Sequence, residues 1–255
     1  MSPVEIHVLE KVELNNPIFI EALPGIGHVG KLAADHIIDE FEAIKFAEIY
    51  SNSYPPQVFV KEEGIIQEMV NELYYIKDVG EDNNDLILLV GNAQPLSPEG
   101  QYEFCRDVLS FVKDFNIKQI YTLGGLPIGQ NIEENKVFGA ATSKEIIDFL
   151  KENDVEIRSN DGGIVGASGI LLGIGKLFGI EGACLMGETP GYFIDASAAE
   201  AILLKLASFL KFEINIEKLE EKAEETKQML DKAQQLEQDI LNRSAGDVDD
   251  LSYIG

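Results

Sequence analysis

Basic residues are scarce in this chain: 20 Lys and Arg stand against 45 Asp and Glu, a formal charge of −25 over 255 residues. Such a surface repels polyphosphate backbones and anionic membranes, so nucleic acid and lipid are excluded as expected partners. Cysteine is nearly absent. Cys105 and Cys184 show no CxxC spacing and have no histidine pair nearby, so neither a zinc centre nor a disulfide framework is expected, and both read as core residues. His7, His28 and His36 form no HxH or HExxH pattern, and no metal or cofactor is expected. The amino-terminal stretch MSPVEIHVLEKVEL lacks the apolar run of a signal peptide, which points to a cytoplasmic protein. The longest apolar stretch, GIVGASGILLGIGKLFGI at 163–180, is broken by Lys176, is rich in glycine and has no basic anchors. It reads as buried backbone rather than a membrane segment. Also missing are GxSxG, a Walker lysine motif and an HRD-type loop, so no sharp signature of catalysis is present.

What is present is an alternation of strand and helix patterns. IFIEAL (18–23), FAEIY (46–50), QVFV (57–60), LYYIK (73–77), DLILLVGN (85–92), QIYTLGGL (119–126), KVFGAAT (136–142) and GACLMGE (182–188) read as strands. The runs Leu86 to Val90 and Ile120 to Leu123 have no polar alternation, as expected of central strands covered on both faces. Helical spacing marks 29–41, 98–115, 143–152 and 195–211, the second opened by Ser97 as N-cap and Pro98 at the first helical position. The alternation predicts an α/β fold with a mostly parallel sheet between two helical layers. The expected division is a core domain over 1–212 and a C-terminal appendage over 213–255. In the appendage, Leu219, Ala223, Thr226, Leu230, Ala233, Leu236 and Ile240 mark an amphipathic helix of about 25 residues, followed by a short acidic tail.

Two loops carry residues of chemical interest. Gly25, Gly27 and Gly30 spell GIGHVG after the first predicted strand, a pattern that either cradles a phosphate at a helix N-terminus or lets the backbone turn tightly into the helix. His28 inside it is a general-base candidate or a plain loop residue. In LMGETPGYFIDASAAEA (185–201), Glu188 and Asp195 are the best-placed pair of carboxylates for acid and base work, with Asp195 or Ser197 also suited to cap the helix that follows. These features define an alternative reading: an enzyme of nucleoside-phosphorylase or nucleotide-dependent ligase type.

Taken in order, LPGIGHVGKLAADHII, SYPPQVFV, LLVGNAQPLSPEGQYEFCRDVL, YTLGGLPIG and GASGILLGIGKLFGIEGACLMGETPGYFIDASAAEAIL resemble the archaeal branch of the proteasome assembly chaperone family, across about 15–210. The resemblance implies a three-layer α/β/α core similar to the purine nucleoside phosphorylase fold. It also implies a homo-oligomer that assists assembly of proteasome α-subunits, alone or with a related chaperone, rather than an enzyme. In that family a hydrophobic, Tyr, any-residue ending docks between neighbouring α-subunits. The corresponding residues here are Leu251, Tyr253, Ile254 and Gly255, with Tyr253 one position further from the end than that motif has it.

Overall fold

A computed structural model describes residues 3–130, 135–158, 162–226 and Gln228. The chain opens with β1 (Val4–Val8), β2 (Ile18–Glu21), α1 (Val29–Glu40) and β3 (Ile44–Ser51). A short arm of β4 (Val58–Val60) and β5 (Ile66–Glu68) leads into the antiparallel pair β6 (Asn71–Val79) and β7 (Asn84–Gly91). Then follow α2 (Pro98–Lys113), β8 (Gln119–Pro127), β9 (Val137–Ala141), α3 (Lys144–Glu152) and the brief β10 (Glu156–Ile157). The last elements are α4 (Ala167–Leu177), β11 (Gly182–Thr189) and α5 (Ala196–Leu210), and 217–226 are helical again.

Nine strands form one sheet in the order β1-β3-β6-β7-β2-β8-β11-β9-β10. Its middle, β7-β2-β8-β11, is parallel, while β1, β3 and β6 join on one side and β9 on the other through antiparallel pairs. Helices cover both faces. Successive side chains of a strand point to opposite faces, and β7 shows the consequence: Leu86, Leu88 and Val90 enter the core shared with α1, α3 and α5, whereas Ile87 and Leu89 enter the core shared with α2 and α4. The fold is thus the three-layer α/β/α arrangement, with the parallel character concentrated in the centre, where strands are apolar on both faces.

The strands and helices predicted within the core appear, and the differences are physical. β1 is an edge strand whose Val-Glu-Ile-His-Val alternation reflects one covered face. The glycine-rich run forms α4, an eleven-residue helix, and not merely buried backbone: Val165 ahead of it and Leu177 at its end are 93% and 84% exposed. Gly175 has a packing function, since a Cβ there would stand 2.6 Å from the Ile120 side chain, so its absence lets α4 lie close on β8. Among the described residues no helix is long and apolar enough to cross a membrane.

The core continues past α5. Phe212 and Leu219 are buried with α1 and α5, and Phe41 meets Phe212 edge-on at 5.4 Å. His36, buried on α1, donates from Nε2 to the carbonyl of Asn215 at 2.5 Å, and the Asn215 side chain accepts from the amide of Glu217 at the start of the helix. The start of the predicted amphipathic helix is therefore fixed to its own subunit; Leu230, Ala233, Leu236 and Ile240 lie outside the described residues.

Candidate functional site

The carboxyl ends of β2, β8 and β11 open into a cleft of about 490 Å³ on the α2/α4 side of the sheet. In open α/β sheets this edge is where ligands bind, and the volume lies within the range of ligand pockets. The floor is set by register: Glu21 pairs with Thr122 and Thr122 with Cys184, so three side chains on adjacent strands stand in one row on one face. Glu21 has no solvent exposure. Its Oε1 accepts from the amide of Leu23 at 3.0 Å and its Oε2 from the hydroxyl of Ser168 at 2.8 Å. Burial raises its carboxyl to about 7, against the opposing effect of those two hydrogen bonds. Burial likewise pushes the Cys184 thiol up to about 12 and the Cys105 thiol higher still, so both cysteines are inert core residues as expected.

Above the floor, Gln94 ties three segments together. Its Nε2 donates to the Pro24 carbonyl at 3.0 Å, and its Oε1 accepts from the amide of Ala167 at 2.9 Å and from Nε2 of Gln101 at 3.2 Å. The Gln94 loop is in turn held by Asn71, which is fully buried: its Oδ1 accepts from the amides of Asn92 and Ala93, and its Nδ2 donates to the Ala93 carbonyl. Arg158, half-buried, also lines the cleft. Ile26 and Val165 line the cleft with exposed apolar side chains, and Leu96, Tyr192 and Ile194 are exposed on the loops that follow β7 and β11 at the same edge of the sheet.

The predicted loop residues fall into place around this edge. Gly27 has φ +62, and a Cβ there would stand 3.0 Å from Thr189 Oγ1, so it serves both the turn and the contact with the loop after β11. Gly30 abuts β8 so closely that a Cβ would lie 2.1 Å from the Leu123 carbonyl oxygen. Gly25 meets no such obstacle and lines the cleft. Two of the three glycines thus have packing reasons independent of any phosphate. His28 is exposed, in the left-handed region at φ 51, and heads α1 without a side-chain cap.

Asp195 is buried and caps α5, accepting from the amide of Ala198 at 3.0 Å, while its own amide donates to the Gly27 carbonyl at 2.9 Å. Glu188 shares strand parity with Cys184 and Met186 and so leaves the sheet on the α2/α4 side, whereas the helix that Asp195 caps packs on the other face. No hydrogen bond joins these two carboxylates among the described residues. Glu21 is a second buried acid at this edge and has no solvent exposure at all, a burial that the strand pattern IFIEAL conceals. Among the described residues no cluster of His, Cys, Asp and Glu could hold a metal ion. Leu251, Tyr253, Ile254 and Gly255 lie outside the described residues.

Comparison with known proteins places this geometry in a lineage. The PAC2 family model matches residues 19–234. The uncharacterized protein MJ1210 of Methanocaldococcus jannaschii is 44% identical over 245 residues, covering 95% of this chain and 93% of that one. Among solved structures, Pyrococcus furiosus PbaB, an archaeal proteasome activator, superposes with a TM-score of 0.87 at 40% identity, over 92% of this chain and 100% of that chain. Pyrococcus furiosus PbaA, an archaeal homolog of proteasome-assembly chaperone, gives a TM-score of 0.76 at 26% identity, over 99% and 100%. By sequence and by fold, the chain belongs to the PAC2 family.

Proposed function

We propose that this chain is a proteasome-binding assembly factor and not an enzyme: a homo-oligomer that engages proteasome α-subunits, in part through Leu251, Tyr253, Ile254 and Gly255, and promotes formation of the α-ring. The observation that carries this reading is the likeness to PbaB along nearly the whole chain. The proposal carries a division of labour. The α/β core over 1–212 supplies the oligomer and the rigid body, and 213–255 supplies an arm whose root is anchored on α1 by the Asn215 to His36 bond. The exposed Ile26, Leu96, Val165, Tyr192 and Ile194 on loops at the carboxyl edge suit a protein surface, since apolar side chains gathered at one edge mark interaction sites.

The test is native mass spectrometry of the full chain with purified α-subunits, repeated with a chain ending at Gly246. A mixed complex with the full chain that is lost on truncation supports both binding and the tail; binding that survives truncation assigns it to the core; absence of any complex overturns the reading. A second reading, action on the finished particle, is favoured by the description of PbaB as an activator. A rise in peptide hydrolysis when the chain is added to assembled core particle, without faster α-ring formation, would select it.

A further inference from the structure

Strand β8 carries a glycine that the packing of its own subunit does not require. Gly124 pairs with Met186 inside the parallel part of the sheet, where a glycine weakens the strand because it brings no side chain to pack and orders a freer backbone. Neighbouring glycines of this edge have a reason in the fold: Gly27 and Gly166 have positive φ, and a Cβ at Gly30 or Gly125 would collide with backbone. Gly124 has neither. A Cβ there would meet nothing within 4 Å. Strand alternation turns it to the same side as Ile120 and Leu126, toward α2 and α4, and it lines the cleft. Gly25 and Gly163, also without positive φ and without a close neighbour, line the same cleft. A strand glycine with nothing packed on it marks a place where another molecule comes close to the backbone.

The polar groups around that space are incomplete. Gln101 Oε1, in the first turn of α2, is buried without a hydrogen-bond partner among the described residues. Turning the amide does not relieve it, because Nε2 already donates to Gln94 Oε1 at 3.2 Å and to the Pro95 carbonyl at 2.8 Å. An unpaired buried acceptor is destabilising, so an occupant that brings an N–H or O–H is favoured. Arg158 makes no ion pair among the described residues and reaches only the Gly163 carbonyl, at 3.5 Å. Its planar guanidinium suits an acid group that accepts two parallel N–H donors. The walls are apolar: Leu23, Leu126, Ile164 and Met186. Bare phosphate is a poor match, since the Ala167 amide that heads α4 already donates to Gln94 Oε1 at 2.9 Å and the walls offer it nothing.

We infer that this cleft binds a small amphipathic organic acid, with the acid group on Arg158, an N–H or O–H on Gln101 Oε1 and the apolar body over Gly124. The assignment does not rest on proteasome binding and is tested without any proteasome component. The probe is 8-anilinonaphthalene-1-sulfonate, which joins a sulfonate, an N–H and an aromatic body and brightens in an apolar site. Titration of the full-length protein is expected to show one saturable site per subunit. Arg158→Glu and Gly124→Val, the second filling the space over the strand, are each expected to weaken binding about tenfold or more, and Arg158→Lys to weaken it less than Arg158→Glu. Indole-3-acetate, a carboxylate with an N–H and an aromatic body, displaces the probe, whereas inorganic phosphate at the same concentration does not. Far-ultraviolet circular dichroism and urea midpoints no lower than the parent's show that both variants fold, as expected for a half-buried arginine and for a β-branched residue whose Cβ meets no neighbour. Absence of saturable binding overturns the inference. So does binding that either variant leaves unchanged, which places the probe on another apolar surface, or displacement by phosphate as effective as by indole-3-acetate, which reduces the site to an anion contact.

Discussion

The hydroxyl of Ser168 donates to the carboxyl of Glu21 across 147 residues of sequence, at 2.8 Å, and joins the first turn of α4 to the end of β2. The contact sets an ionisable group at the floor of the cleft where water does not reach it. Its energetics are pH-dependent in a definite direction. The folded chain keeps the Glu21 proton up to about 7, whereas the ordinary value is 4.5. Stability from this difference is fully present below pH 4.5 and is lost as pH rises to 7, a total of about 3 kcal/mol. Glu21→Gln keeps an acceptor for Leu23 and removes the titration. Urea midpoints measured from pH 5 to pH 8 are expected to fall for the parent relative to the variant; parallel curves would show that Glu21 does not titrate in this window.

Gly30→Ala tests how tightly α1 rests on β8. With the added Cβ only 2.1 Å from the Leu123 carbonyl oxygen, helix or strand must shift, and the expected cost is about 2–3 kcal/mol of unfolding free energy. Gly25→Ala, where nothing but the Leu23 carbonyl oxygen lies within 4 Å, is expected to cost well under about 1 kcal/mol. Equal losses at the two positions would contradict the packing account of the loop.

Asn71→Ala removes the side chain that serves the amides of Asn92 and Ala93 and the Ala93 carbonyl. Leaving such buried backbone groups unpaired is expected to cost about 2–4 kcal/mol and to loosen the loop that positions Gln94. Hydrogen exchange at Asn92 and Ala93 reads the local effect. Exchange as slow as in the parent would mean that the loop is held by something other than Asn71.

Asp195 separates the cap reading from the catalytic one. As an N-cap bonded to Ala198, it is expected to lose about 1 kcal/mol on change to Ala and very little on change to Asn, which caps as well. Thermal unfolding of both variants measures this. A loss in Asn as large as in Ala would show that the negative charge at the start of α5, and not the cap hydrogen bond, carries the stability.

The sequence was most legible where burial is continuous. Leu86 to Val90 could only be a strand covered on both faces, and Ser97-Pro98 announced α2, whose Ser97 hydroxyl oxygen accepts from the amide of Gly100 at 3.0 Å. The glycine-rich α4 was harder, because glycine lowers helix propensity by about 1 kcal/mol per residue, while Gly175 is there for close approach to β8. The cleft was the least legible part. Glu21 sits in a strand pattern that gives no sign of its burial, and Gln94, Gln101, Arg158 and Ser168 meet only because the parallel crossovers bring separate loops to one edge. No local spacing encodes such a meeting. The family resemblance located the chain correctly because it used the order of weak motifs over about 15–210, most of which the PAC2 family model also covers in matching 19–234.

Native mass spectrometry of this acidic PAC2-family chain together with proteasome α-subunits decides whether the proposed binding occurs. The predicted result is a mixed species containing several copies of the chain and of α-subunit, diminished at least tenfold, about 1.4 kcal/mol, when the chain ends at Gly246. A spectrum showing only separate α-subunit and chain species, at concentrations where α-rings still form, would contradict it.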